Sequence, residues 1–185
     1  MKVLVTGAGG FIGSRLCKKL ISEGYEVYGI IHNNPSKAEG IQIINADLTK
    51  NDFVMPDVKF DAVFHLAAAT PLVKDKKKQK RINYEGTVNL FEKIKDKTNF
   101  IIYASGLGVF GNPKGIVNEQ SLMQPDTDFV KIRLEAQRFL EDSCKNNNIG
   151  FSVCYFGDVY GNASWFTEMV VNRLKNGTFN NCSSI

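Results

Sequence analysis

Met1 to Gly13 (MKVLVTGAGGFIG) constrains this chain more tightly than any other stretch. Lys2 to Thr6 is a short apolar run rich in Val and Leu, which suits a buried parallel strand. Glycines follow at 7, 9, 10 and 13, and a helical pattern then begins. Ile12, Leu16 and Leu20 recur on one face with Cys17 and Ile21 beside them, while Arg15, Lys18, Lys19 and Glu23 take the other. Gly24 stands where a helix C-cap favours glycine. A strand, a glycine turn and a helix in that order make a site for a diphosphate. Glycine lets the backbone turn tightly and approach the ligand, and the helix start offers unpaired N–H groups and the positive end of its dipole.

The spacing excludes G-x-G-x-x-G, because counting from Gly7 its third glycine falls on Ile12. The pattern that fits is T-G-x-x-G-x-x-G, carried by Thr6, Gly7, Gly10 and Gly13. A lone glycine triplet is a weak signal. Between a strand and an amphipathic helix at the start of the chain it favours nucleotide binding over an ordinary turn.

Strand-like and helix-like segments alternate through the rest of the chain. Tyr25 to Ile31 reads as a second strand, closed by the turn residues of HNNPS. Ile41 to Ile44 is a third, Asp61 to Leu66 a fourth, Asn99 to Tyr103 a fifth and Gly150 to Phe156 a sixth. Helical spacing covers Asn83 to Lys95, Phe129 to Cys144 and Ser164 to Leu174, and Ala104 to Pro113 reads as glycine-rich loop. Apolar strands alternating with helices predict an α/β fold, a doubly wound parallel sheet covered on both faces. Its ligands lie beyond the carboxyl ends of the strands.

The loops after the strands therefore converge on one crevice. Asp47, beside Leu48, either accepts a hydrogen bond from an adenine amino group or caps a helix, and the residues leave both open. The alanines after His65 let backbone come close to a ligand. His65 itself reads as packing at the strand end, with no partner evident nearby.

The 185 residues allow one domain with a sizeable core, and no apolar run reaches membrane-spanning length. The four cysteines (17, 144, 154 and 182) show no metal-ligand spacing, which predicts buried free thiols in a reducing cytoplasm and no metal site. The net charge of +4 owes much to KDKKKQKR at 74–81. That run reads as a solvated loop or helix start rather than a nucleic-acid or nucleotide patch, because no aromatic residue is interleaved for base stacking.

Six segments taken together carry a family resemblance: TGAGGFIG, ADL at 46–48, HLAA at 65–68, N-x-x-G-T at 83–87, YAS…VFG at 103–111 and DVYG at 158–161. The chain resembles the extended short-chain dehydrogenase/reductase family, in its branch of NAD(P)-dependent sugar-nucleotide epimerases and dehydratases. The resemblance implies a Rossmann fold at 1–162, with 163–185 the start of a substrate lobe most of which the sequence lacks. It implies that Gly7, Gly10, Phe11, Ile12 and Gly13 hold the pyrophosphate and that Asp47 and Leu48 meet the adenine. Leu66, Ala67, Ala68 and Asn83 would line the ribose and nicotinamide side.

The sequence departs from the family pattern at the catalytic positions. The family's general base is a Tyr with a Lys four residues on, and here those positions are Phe129 and Arg133. Phe has no ionisable proton and does no acid–base work, whereas Arg keeps the charge that binds a ribose hydroxyl. Reading the frame from Lys131 instead puts Thr127 at the base position, and an alcohol is too weak an acid. Where the family offers Ser or Thr to a substrate carbonyl, this chain has Gly106. Ser105, one place earlier, either substitutes for it or caps the strand end.

Two main functions compete: a binding module that holds NAD(P) and turns little over, and an active oxidoreductase or epimerase on a sugar nucleotide or small carbonyl compound. Nucleic-acid binding through 74–81 ranks behind both. Strand two ends without an Asp, at Ile31 followed by His32, which favours NADP over NAD slightly. The apolar face of the last helix (Trp165, Phe166, Met169, Val170 and Leu174) predicts exposure or a homo-oligomer contact.

Overall fold

The computed structural model describes residues 1–32, 39–162 and 164–178. The turn residues 33–36, Cys182 and the Trp165 side chain lie outside what it describes. Backbone contacts divide the chain into two units, Met1–Tyr155 and the segment from Phe156 onward.

In the first unit the elements run β1 (Lys2–Thr6), α1 (Phe11–Ser22), β2 (Glu26–Ile31), β3 (Gln42–Asn45) and β4 (Ala62–His65). They continue with α2 (Lys76–Lys80), a π-type turn (Arg81–Glu85), α3 (Gly86–Ile94), β5 (Phe100–Gly106), α4 (Asp128–Asn146) and β6 (Gly150–Phe156). One six-stranded sheet has the order β3-β2-β1-β4-β5-β6, and the β2–β3, β1–β2, β1–β4 and β4–β5 ladders are parallel. This is the doubly wound arrangement, in which strand order reverses beside β1 and opens a crevice at the carboxyl ends.

The alternation of side chains along β1 builds both layers. Val3 and Val5 pack with Val27, Ile31 and the α1 residues Cys17 and Leu20. Leu4 points the other way, into a cluster with Val63, Ile101, Leu90 and Ile94 and with Ala136 and Leu140 of α4. Fully burying one such Val or Leu side chain stabilises by about 1.5–3 kcal/mol, so β1 anchors the fold from its middle. The edges are less covered than an all-buried sheet requires. Ile43 of β3 is 56% exposed, and Cys154 of β6 is an exposed free thiol, which corrects the expectation of buried thiols. Cys17 and Cys144 are buried, and burial pushes each thiol up to about 11.

Two segments differ from the sequence expectation. Helix begins at Lys76 rather than Asn83, because Asp75 caps it and acids of α4 receive its lysines. Strand β5 runs on to Gly106, past its last β4 pairing of Tyr103 with His65, with β6 as its neighbour on the other side. In the second unit α5 (Trp165–Lys175) is capped by Ser164, whose hydroxyl accepts from the Thr167 amide at 3.0 Å. Val171 and Leu174 of α5 are exposed. No helix among the described residues is long and apolar enough to cross a membrane, and no cluster of metal-ligating side chains occurs among them.

Candidate functional site

The glycine turn is shaped by three close approaches. Gly7 has φ +69°, and a side chain there would meet the Ala67 amide at 3.0 Å. The Gly10 amide donates to the Gly7 carbonyl at 2.8 Å, and the Ser14 amide donates to the Gly10 carbonyl at 3.0 Å. At Gly13 a Cβ would fall on the Gly7 carbonyl oxygen, so the turn closes only around glycine. Gly10 is the N-cap of α1 and offers no side chain, and no acid stands in the helix's first turn. The first-turn N–H groups of Phe11, Ile12 and Gly13 are thus left without a capping group, beside an unneutralised dipole end. Arg15 reaches back over this turn, its guanidinium 3.9 Å from the Phe11 ring centre and donating to the Phe11 carbonyl at 2.8 Å.

Behind the turn lies a buried relay absent from the sequence expectation. The Thr6 hydroxyl accepts from the amides of Leu66 and Ala67 at 3.1 and 3.0 Å. Its own proton therefore goes to His65 Nδ1, 2.7 Å away. His65 Nε2 lies 2.9 Å from the Thr87 hydroxyl, which itself donates to the Asn83 carbonyl at 2.8 Å, so Nε2 carries the hydrogen. Asn83 Oδ1 accepts from the Ala69 amide at 2.7 Å, leaving its buried Nδ2 with no partner. Burial first, and then the Arg133 charge, push His65 down to about 3. Neutral His65 is the hub that fixes the 66–69 backbone against β1. Its partners stand 59 and 22 residues away in sequence, although Thr6 and Thr87 are letters of the two motifs already singled out.

Of the two sequence readings of Asp47, the helix cap is not what the structure shows. Asp47 Oδ1 accepts from the Thr49 amide and hydroxyl at 3.0 and 2.8 Å in a tight turn after β3, and Oδ2 lies 3.6 Å from His32 Nε2. Burial works against its charge, but the two Thr49 bonds, then His32 and Lys50, outweigh it and hold the carboxyl below its ordinary value.

These loops enclose a cleft of about 670 Å³, within the range of ligand sites. Gly7, Gly9 and Gly10 line it, with Ile31 and His32 at the end of β2, Asp47 to Thr49 after β3, and Leu66 to Ala69 after β4. Lys77, Lys78, Arg81 and Ile82 complete the wall. The basic run is therefore not simply a solvated stretch. Phe11, Ile12, Gly13, Asn83, Ser105, Phe129 and Arg133 stand outside that lining.

Phe129 and Arg133 lie on α4, and Ser105 lies at the end of β5. Phe129 and Arg133 are one turn apart on a helix capped by Thr127, whose hydroxyl accepts from the Val130 amide at 3.3 Å. Arg133 donates to the Ala104 carbonyl and lies over the Tyr103 ring, 4.7 Å from its centre. Its backbone carbonyl accepts from the Tyr103 hydroxyl at 3.3 Å. Burial raises the Tyr103 phenol despite Arg133, so it stays protonated. Ser105 is buried within β5 and its hydroxyl has no hydrogen-bond partner, so it does not cap the strand.

The strand order and the glycine turn over β1 define a Rossmann-type α/β protein. The chain belongs to the NAD dependent epimerase/dehydratase family, whose model matches residues 3–182, and it is of the extended short-chain dehydrogenase/reductase type. It is 31% identical over 157 residues to UDP-glucose 4-epimerase of Mycolicibacterium smegmatis, covering 76% of this chain and 50% of that one. It is also similar to the solved UDP-glucuronic acid 4-epimerase of Bacillus cereus in complex with NAD, at 31% identity and TM-score 0.73, over 87% of this chain and 57% of that one. A tyrosine-to-phenylalanine variant of the Bacillus cereus enzyme, in complex with NAD and UDP-4-deoxy-4-fluoro-glucuronic acid, matches at TM-score 0.80 and 29% identity, over 95% of this chain and 64% of that one. The chain thus spans about half the length of the curated relatives it matches.

Proposed function

We propose that this chain binds NAD(P) in the cleft beside the glycine turn, and that the protein handles a sugar nucleotide with little or no turnover by the family's tyrosine route. The observation that carries the reading is the uncapped start of α1 over a turn that only glycine fits, opening into a cleft of suitable size. Bound NAD(P) would supply hydride exchange at its nicotinamide. The residues of this chain bind and orient: Gly7 and Gly10 with the amides of Phe11, Ile12 and Gly13 at the diphosphate, Asp47 and Leu48 at the adenine, and Leu66, Ala67 and Ala68 along the backbone of the loop. Asn83 ties that loop down through the Ala69 amide.

The role of α4 follows from its chemistry. Phe129 has no proton to move, and the Arg133 guanidinium is engaged on the Ala104 carbonyl. The Bacillus cereus variant supports the reading, because a relative with a phenylalanine in place of a tyrosine still holds both NAD and a UDP-sugar. For cofactor choice, β2 ends at Ile31 and His32 rather than at a carboxylate, and the nearby Asp47 is engaged by Thr49 and His32, so NADPH binds at least as well as NADH.

Fluorescence titration of the full chain with NADH and NADPH tests this, against Gly10→Val. Gly10 is the right position because a Cβ there meets only the Gly7 carbonyl, at 3.1 Å, whereas Gly13 would break the turn itself. Saturable binding in the native chain is expected, lost in Gly10→Val with the circular-dichroism spectrum retained. A native chain that binds neither cofactor overturns the proposal, and a clear preference for NADH overturns the cofactor assignment.

A further inference from the structure

The basic run at 74–81 has six Lys and Arg side chains, and the helix sorts the five from Lys76 to Arg81 by face. Lys76 and Lys80, four residues apart, turn toward α4. Lys76 pairs with Asp128, and the Lys80 ammonium stands 3.6 Å from Glu135. Lys77, Lys78 and Arg81 take the other side and line the cleft that contains Gly7, Gly9 and Gly10. No carboxylate of a described residue pairs with any of the three.

The acids of the cleft are already engaged. Asp75 Oδ1 accepts from the amides of Lys77 and Lys78 at 2.9 and 3.2 Å, and Asp47 is held by Thr49 and His32. Three unpaired cations on one wall repel one another, and an anion between them relieves that repulsion. Their placement is also secured at a distance. The π-type turn holding Arg81 is tied to the 66–69 loop through Asn83, and α3 is tied to the loop after β3 by Asn89 Nδ2 donating to the Leu48 carbonyl at 2.9 Å. Such wide turns inside helices recur where a side chain is turned toward a site.

We propose that Lys77, Lys78 and Arg81 form a second phosphate-binding wall of the cleft, contacting phosphate of the dinucleotide that the glycine turn holds. This rests on the dinucleotide reading above. The two lysines act as mobile point charges, and Arg81 offers a planar fork that suits two phosphate oxygens. The phosphate is either the diphosphate or a 2′-phosphate, and the two are separable by ligand.

Isothermal titration of the full chain with ADP, 2′,5′-ADP and adenosine provides the test. It compares the native protein with K77Q/K78Q/R81Q and with K76Q/K80Q. The cleft-facing variant should bind at least one phosphorylated ligand about 10-fold more weakly and with less sensitivity to NaCl, since exposed charge pairs are modest and screened. Its affinity for adenosine should be unchanged. K76Q/K80Q also removes positive charge, but from the α4 side, and should bind like the native chain. A loss with ADP assigns the wall to the diphosphate, and a loss confined to 2′,5′-ADP assigns it to the 2′-phosphate. Native affinity for both phosphorylated ligands in the cleft-facing variant, or an equal loss in K76Q/K80Q, overturns the proposal. If Gly10→Val abolishes binding while the cleft-facing variant binds normally, the dinucleotide reading stands and only this wall is lost. A native chain that binds none of these ligands overturns both.

Discussion

His65 shows how much one buried side chain organises. Between Thr6 and Thr87 it is neutral, fully hydrogen-bonded and 1% exposed. Protonation would place a second hydrogen on Nδ1, facing the Thr6 hydroxyl whose own hydrogen already points there, and would break the relay that holds Leu66 and Ala67. The folded-state value of about 3 lies below the ordinary 6.5, so the unfolded chain binds the extra proton first as pH falls. The stability tied to neutral His65 is therefore fully present above 6.5 and declines as pH drops toward 3. One such proton changes stability by about 1.4 kcal/mol per pH unit within that window, or about 2 kcal/mol between pH 7 and pH 5. Urea unfolding at the two pH values should show this loss, and His65→Gln should flatten it while lowering stability at pH 7. Asp47, with its carboxyl held below the ordinary range, contributes at more acidic pH and leaves this interval alone. Equal pH dependence in native and His65→Gln chains would remove His65 from that role.

At the scale of elements, α4 carries the test of catalysis. Phe129 and Arg133 stand one turn apart, and under the proposed reading they replace a Tyr–Lys pair and remove its proton donor. Arg133 also fastens α4 to β5 through Ala104 and Tyr103, a structural task that the arginine fork performs and a lysine ammonium performs less well. Phe129→Tyr with Arg133→Lys should therefore raise hydride transfer on a sugar-nucleotide panel by about 10²–10⁴-fold, the usual contribution of a positioned acid or base. The same change should lower thermal stability modestly. Brisk turnover in the native chain, with no gain in the double variant, would show that the tyrosine route is not what limits this protein. Elements also mark where sequence reasoning reached its limit. The glycine turn, β1 and α1 were legible because hydrophobic period and glycine spacing are local signals. Helix α2 was legible only as a solvated loop or helix start, since six basic residues within eight repel one another until Asp128 and Glu135 of a distant helix balance two of them. The last residues of β5 were missed for a similar reason. Ala-Ser-Gly resembles a loop, and no local signal shows that β5 continues beyond its last β4 partner, His65.

At the scale of the whole molecule, the sheet order follows from alternation and handedness, so the crevice beside β1 was foreseeable before any coordinate. Its chemical lining was less so, because the wall is assembled from loops after three strands and from a helix whose cleft face shows only in three dimensions. Every residue of that lining falls between Gly7 and Ile82, inside the first unit. The proposed dinucleotide binding is accordingly assigned to that unit, and hydrogen exchange of the full chain should show it. Saturating NADPH should slow exchange at 7–13, 46–49, 66–69 and 73–82, where amides face the ligand or are held by loops that do. A ligand at about 100 times its dissociation constant stabilises the folded state by about 2.7 kcal/mol, so segments that exchange only through global unfolding of the first unit slow by a common factor. Residues 156–178 should exchange at the same rate with and without cofactor. Protection centred on 129–133 with none at 66–82 would move the site away from the cleft and onto α4. Protection restricted to 7–13 would keep the glycine turn and dismiss the basic wall.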